Sequence, residues 1–236
     1  MLLIIAAAPL ETSLLRKNIS TMQTSPCGTT QIFSGQLNGT EILLSHGGIG
    51  QVNMAIQLTR LLDTYKPTAV FLCGCGGSYP ASELKIGDLA LATSEIHADL
   101  GVATAEKFIP LEELNLPQNP QLSPLARQSF SLDETLLEWA QKTLPGAVCG
   151  PFATVNCCSG HPDLSLELEK RSGAICENME GAAAAQVCAN FAVPLLELRG
   201  ISNPTGTRDP QQWDVIGGAE AAQNGILKLL KHWPNN

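Results

Sequence analysis

Charge is scarce in this chain of 236 residues, at 15%, and aromatic side chains are scarcer still, at 5%. The basic side is the thinner one: 14 Lys and Arg face 22 Asp and Glu, a formal net charge of -8. Neutralising phosphates takes clustered Lys and Arg, and the sequence has no such cluster, so nucleic acid is excluded as a partner. No run of about twenty apolar residues occurs, so no membrane span is expected. The opening "MLLIIAAAPLE" lacks a positive flank before its short apolar run; a buried strand over 2–7 explains it better than a secretory leader. None of the eight cysteines forms a C-x-x-C pair. Cys73 and Cys75 share an apolar strand end, and Cys157 and Cys158 are adjacent; all read as reduced thiols of a cytoplasmic protein. There is no H-E-x-x-H and no Cys/His cluster. His46, His97, His161 and His232 are scattered, so neither a metal nor another cofactor is expected.

What the chain does have is small and aliphatic residues. At 44% apolar it can bury one sizeable core, and its length suits a single domain over 1–236. Strand-like runs recur as "LLIIAAA", "TEILLSH", "AVFLCGC", "DLALATS" and "VPLLELRGIS". Helix-like stretches lie between several of them. "ETSLLRKNI" sets Leu14, Leu15 and Ile19 on one face; "QVNMAIQLTRLLDTYK" sets Val52, Ile56, Leu58 and Leu62 at near-helical spacing; "AEAAQNGILKLLKHW" reads as a C-terminal helix. The alternation predicts an α/β fold with helices on both sides of a central sheet. "LNGTE" signals a hairpin through Asn38-Gly39, so part of the sheet is antiparallel and the sheet is mixed. The stretch 103–131 is Pro-containing, weakly periodic and expected as a long loop.

Glycine-rich turns follow three apolar runs: "SHGGIGQVNMA", "LCGCGGSYP" and the segment from Gly200. Ligands in open α/β sheets bind at the strand carboxyl ends, where such turns sit, and glycine lets backbone N–H groups approach them. "GGIG" before a helix fits a phosphate cradle or a plain tight turn about equally, since no Walker lysine follows. Glu11 and Glu180 each open a helix-like stretch. Taken singly, either acid is explained by the helix macrodipole. Together with Asn203, which follows a third strand, they form a converging set of the kind that makes a small-molecule site.

Five segments carry a resemblance: "IIAAAPLETSLL", "GQLNGTEILLSHGGIGQVNMA", "FLCGCGGSYPASELKIGDLALAT", "ENMEGAAAAQVCANFAVPLLELRGISN" and the C-terminal helix. Through them the chain resembles the purine nucleoside phosphorylase and nucleosidase superfamily. "ADLGV" and "TRDPQQWDV" bring it nearest to the futalosine hydrolase branch, with the methylthioadenosine/S-adenosylhomocysteine nucleosidases as near relatives. The resemblance implies a three-layer sandwich and N-ribosyl hydrolysis of a small-molecule nucleoside, by a homo-oligomer. It casts Glu11 as the base that activates water, and Met179 and Glu180 as the residues that hold the ribose, Glu180 at the 2′ and 3′ hydroxyls. Cys75, Gly76 and Gly77 match the backbone near the sugar. Cys157 and Cys158 fall where the nucleosidases have a base-stacking aromatic and its neighbour. Asn203 falls where the adenine-specific enzymes have an aspartate.

An amide offers one acceptor group and two donor hydrogens, so Asn203 suits a 6-oxopurine such as hypoxanthine, the base of futalosine. A phosphorylase needs a basic phosphate pocket, and the first turns offer only Arg16 and Arg60, so water is favoured as the acceptor. A non-catalytic nucleoside binder would have no need of Glu11. An adenine-specific nucleosidase remains the alternative, with Asn203 against it. Arg208 either meets a carboxylate on the 5′ side of the substrate or pairs with Asp209 or Asp214 nearby.

Overall fold

The computed structural model describes residues 1–28, 30–114 and 128–234. Strand β1 (Leu2–Ala6) is buried along its whole length. It lies between two parallel neighbours, β4 (Thr40–His46) and β5 (Ala69–Ser78). A parallel strand covered on both faces needs apolar side chains on both, which is why "LLIIA" does not alternate. On one side, β2 (Ser20–Cys27) and β3 (Thr30–Leu37) extend the sheet antiparallel from β4. The β3–β4 turn has Asn38 at φ 53° and Gly39 at φ 82°, the left-handed pair expected of an Asn-Gly hairpin. Edge strand β2 is polar and exposed except at Cys27 and carries Pro26, both devices that discourage edge pairing.

On the other side of β1 come β5, then β12 (Leu195–Pro204), β6 (Leu89–His97), β10 (Val148–Thr154) and β11 (Cys176–Asn178). β11 also pairs antiparallel with β5, so these five strands close on one another. The carboxyl ends of β1, β5, β11 and β12 thereby line one cavity. Helices α2 (Gln51–Tyr65) and α5 (Gly181–Phe191) pack together on one face of the sheet; α1 (Ser13–Asn18), α3 (Glu134–Thr143) and α6 (Val215–Lys231) cover the other. Helix α4 (Pro162–Ser172) flanks β10. The fold is thus the α/β arrangement with a mixed central sheet between helices that the sequence predicts.

Two local expectations need correction. The stretch 103–131 is not one loop. It holds β8 (Phe108–Pro110), which pairs with β7 (Gly101–Ala103), and β9 (Ser129–Ser131), which pairs with β6. Residues 115–127 of it lie outside the described residues. In α2 the buried face is Met54, Gln57, Leu58, Leu61 and Leu62. Val52 and Ile56, expected inside, are 70% and 55% exposed. Two apolar stripes run along this helix, and periodicity does not say which one meets the sheet.

Candidate active site

A cavity of about 330 Å³ opens at the closed strand ends, within the size range of small-ligand pockets. Glu11 lies in a 3-10 turn, Pro9–Thr12, just past β1. Its Oε2 accepts from its own Ala8 N–H at 2.9 Å and its Oε1 from Cys75 N–H at 2.8 Å. The carboxylate is therefore clamped between the ends of two adjacent strands. Gly74 permits this: a Cβ there would sit 2.5 Å from Glu11 Oε1 and 2.9 Å from Arg199 Nη1. Burial pushes the Glu11 pKa up; Arg199 and the two backbone donors offset part of that rise.

Glu180 occupies the N-cap position of α5, but its side chain does not cap. Asn178 Oδ1 accepts from Glu180 N–H at 2.9 Å and Gly181 N–H at 2.7 Å, and Thr154 Oγ1 accepts from Ala182 N–H at 2.7 Å. With those N–H groups satisfied by other residues, the Glu180 carboxylate turns to the cavity. Its Oε1 accepts from Gly50 N–H at 2.9 Å and its Oε2 lies 3.4 Å from Arg199 Nη1. The macrodipole reading of Glu180 is thereby replaced. So is the phosphate reading of "GGIG", whose last glycine gives its N–H to this carboxylate.

Arg199 joins the two acids. It is fully buried, donates to Glu197 Oε1 at 2.8 Å and Cys75 O at 3.2 Å, and reaches Glu180. Buried Glu95 meets Glu197 side by side and accepts from Thr154 Oγ1 at 2.6 Å and Asn178 Nδ2 at 2.7 Å. Among the described residues, Glu197 Oε2 finds no N–H or O–H donor. A proton kept on Glu95 supplies one. Burial and the neighbouring Glu197 charge both push the Glu95 pKa well up, which favours the proton that Glu197 Oε2 would accept. Sequence reasoning missed this group. The available signal was Glu197 and Arg199 two apart in the apolar run "LLELRGIS": alternate residues share a strand face, so two charges were facing inward together.

Of the other expected site residues, Cys75, Gly76, Gly77 and Met179 line the same cavity, as do Cys158, Asn203 and Arg208. Cys157 does not: it is exposed and off the wall, since adjacent side chains of this non-helical segment diverge. The wall's aromatic side chain is instead Trp213, with the Arg208 guanidinium 4.6 Å above its ring. Neither acid near Arg208 holds it. Asp209 accepts from Gln211 N–H and Gln212 Nε2, and Asp214 from Gly217 N–H. The Asn203 amide is oriented from both ends: Oδ1 accepts from Ser202 Oγ at 2.8 Å, and Nδ2 donates to Pro204 O at 2.9 Å. Among the described residues, no group of His, Cys, Asp and Glu is arranged to hold a metal ion. No described helix is long and apolar enough to cross a membrane.

Comparison with known proteins gives this geometry a family. Residues 2–232 match the phosphorylase superfamily. A 5′-methylthioadenosine/S-adenosylhomocysteine nucleosidase of Tolumonas auensis is 32% identical, covering 97% of both chains, and one of Bacillus thuringiensis is 30% identical with the same coverage. The Neisseria meningitidis nucleosidase of that name, in complex with methylthio-immucillin-A, superposes with a TM-score of 0.84 at 23% identity over 98% of each chain. Futalosine hydrolase of Helicobacter pylori superposes with a TM-score of 0.85 at 20% identity, over 98% of this chain and 97% of its own. The two structures speak for the fold; the family match and the more identical relatives speak for descent, and the chain belongs to the phosphorylase superfamily.

Proposed function

We propose that this protein is a cytoplasmic N-ribosyl hydrolase that cleaves the N-glycosidic bond of futalosine, releasing hypoxanthine, in menaquinone biosynthesis. The observation that carries the choice of base is the Asn203 amide. Ser202 and Pro204 hold its orientation, because a flip would set the amide oxygen against Pro204 O. One N–H and one acceptor site remain for a ligand. The N–H suits O6 or N7 of a 6-oxopurine, and hypoxanthine can leave with its charge spread onto O6. Adenine leaves poorly unless N7 is protonated, and an amide has no proton to give.

The acids supply the rest of the chemistry. Glu11 takes the proton of the attacking water. Glu180 accepts from the ribose hydroxyls and orients the sugar. As the bond breaks, the ribosyl group becomes cationic. Arg199 already faces Glu197, Glu180 and Glu11, so the surroundings of the sugar keep an excess of negative charge that stabilises the cation and repels a phosphate. This favours a hydrolase over a phosphorylase. Trp213 offers the base or the 5′ group an aromatic face, and Arg208, free of carboxylates among the described residues, suits the carboxylate of futalosine. The family resemblance supports a homo-oligomer.

The second reading is a methylthioadenosine/S-adenosylhomocysteine or aminodeoxyfutalosine nucleosidase, and the names of the Tolumonas and Bacillus relatives favour it. One experiment separates the two: kcat/KM for futalosine and its 6-amino analogue, with and without phosphate, in the wild type and in Asn203→Asp. The expected result is a wild-type preference for the 6-oxo substrate, no ribose 1-phosphate-type product, and a shift toward the 6-amino substrate in the variant. A site that hydrogen-bonds one exocyclic group discriminates by roughly 10⁴-fold when the partner is wrong. Wild-type preference for the amino form establishes the second reading.

A further inference from the structure

The turn that carries Glu11 is held from outside itself. Thr12 stands at the N-cap of α1, where a threonine hydroxyl ordinarily accepts from N–H groups of the first helical turn. Its Oγ1 pairs instead with His46 Nε2 at 2.7 Å. The N–H groups it leaves go to Gln223, a fully buried residue more than two turns into α6. Gln223 Oε1 accepts from Leu14 N–H at 2.6 Å and from Leu15 N–H at 3.4 Å. Its Nε2 donates to Ala219 O at 3.0 Å and to Leu10 O at 3.4 Å. One amide thus grips residues on both sides of Glu11.

The bond to Leu10 O is one that capping α1 does not need. A peptide group is planar, so holding its carbonyl and its N–H sets the direction in which the next residue sends its side chain. In the Leu10–Glu11 peptide, Ala8 O accepts from the N–H at 3.1 Å, and the carbonyl accepts from Ser13 N–H and from Gln223. The Glu11 side chain leaves from this fixed plane to reach the N–H groups of Ala8 and Cys75. The Gln223 amide is itself fixed, because both its donor hydrogens and both acceptor positions are used.

Resting on the reading of Glu11 as the base that activates water, we propose that Gln223 is a positioning residue for it. From α6 its amide sets the Leu10–Glu11 peptide, and through that peptide the two N–H contacts of the carboxylate. Those contacts favour the ionised form, so Gln223 also bears on the pH at which Glu11 can act as a base. The other titratable groups around Glu11 are Arg199, Glu180, Cys73 and Cys75, and Gln223 bonds to none of them.

The test is kcat and kcat/KM against pH in the wild type, Gln223→Met, Ile226→Ala and Glu11→Gln, with whichever of futalosine and its 6-amino analogue the wild type cleaves faster. Methionine has nearly the shape of glutamine and no amide. Gln223→Met should lower kcat and kcat/KM together by roughly 10- to 100-fold, since about 1 Å of misplacement costs on that order. Its acid limb should move to higher pH, because burial then acts on a carboxylate with weaker N–H support. Ile226→Ala, a core truncation three residues further along α6, should lower the melting temperature and keep the wild-type kcat and acid limb. An unchanged rate or an unmoved limb in Gln223→Met, or the same losses in Ile226→Ala, overturns the role of Gln223 alone. Near-normal turnover by Glu11→Gln overturns the reading of Glu11 and this role together. If Gln223→Met does not fold, Gln223→Asn decides by the same two readouts. Its shorter amide can still donate to the carbonyl one turn back, as Asn18 does to Leu14 O at 2.8 Å, but falls short of the Glu11 turn.

Discussion

At the scale of single residues, the decisive fact is how firmly the carboxylates of Glu11 and Glu180 are held at the cavity wall. Two backbone N–H groups anchor Glu11 and one anchors Glu180, so in the proposed mechanism neither carboxylate needs to reorganise when substrate arrives. Burial raises the Glu11 pKa, and a general base works only when ionised. The rate should therefore fall as pH drops through a value above that of an ordinary carboxyl group, and a pH profile of kcat/KM for the wild type measures it. Glu11→Gln should lose about 10²- to 10⁴-fold in kcat while remaining folded, and its residual rate should lack that acid limb. Near-normal turnover by the variant would remove Glu11 from the mechanism.

At the scale of elements, β12 carries the opposed demands of packing and charge. Glu197 and Arg199 point from an apolar strand into the core, and Glu95 of β6 meets them there. Breaking a buried ion pair by removing one partner typically costs about 3–5 kcal/mol, and Glu197→Gln should be destabilised by that order in denaturant unfolding. Glu95 behaves differently. Its raised pKa means that the folded chain still holds a proton the unfolded chain has lost, so stability falls as pH rises from the ordinary carboxyl value toward the raised one. Glu95→Gln is neutral at every pH. Its melting temperature should fall less than that of the wild type between about pH 5 and pH 8; parallel curves would mean that Glu95 is ionised.

At the scale of the whole molecule, Ile49, Val52 and Ile56 form an exposed apolar stripe, at 62%, 70% and 55% exposure, along and just before α2. Ile49 also lines the candidate active-site cavity, so the stripe runs from the cavity mouth outward. A contiguous apolar patch of this kind suits a protein interface, and a second copy of the chain is the occupant that the family resemblance supports. A solution mass above that of one chain is expected at micromolar concentration. Ile56→Asp should shift it toward the 25.0 kDa monomer, and a wild-type monomer would contradict the assignment.

Local pattern in the sequence determined the alternation of strands and helices, the Asn38-Gly39 hairpin and the gathering of Glu11, Glu180 and Asn203 at strand ends. Each of these follows from interactions within a few residues, or from the rule that turns sit where strands stop. It could not determine which apolar stripe of α2 is buried, nor reveal β2, which is polar and carries Pro26, or β10, which Gly150 and Pro151 interrupt. Nor could it show that Asn178 and Thr154 cap α5 and so release Glu180, because Thr154 comes from a strand 28 residues away from the N–H it accepts. The Arg199 network was decided only by tertiary structure. It depends on β12 lying between β5 and β6, and strand order is set by packing across the whole core, to which no short stretch of sequence has access.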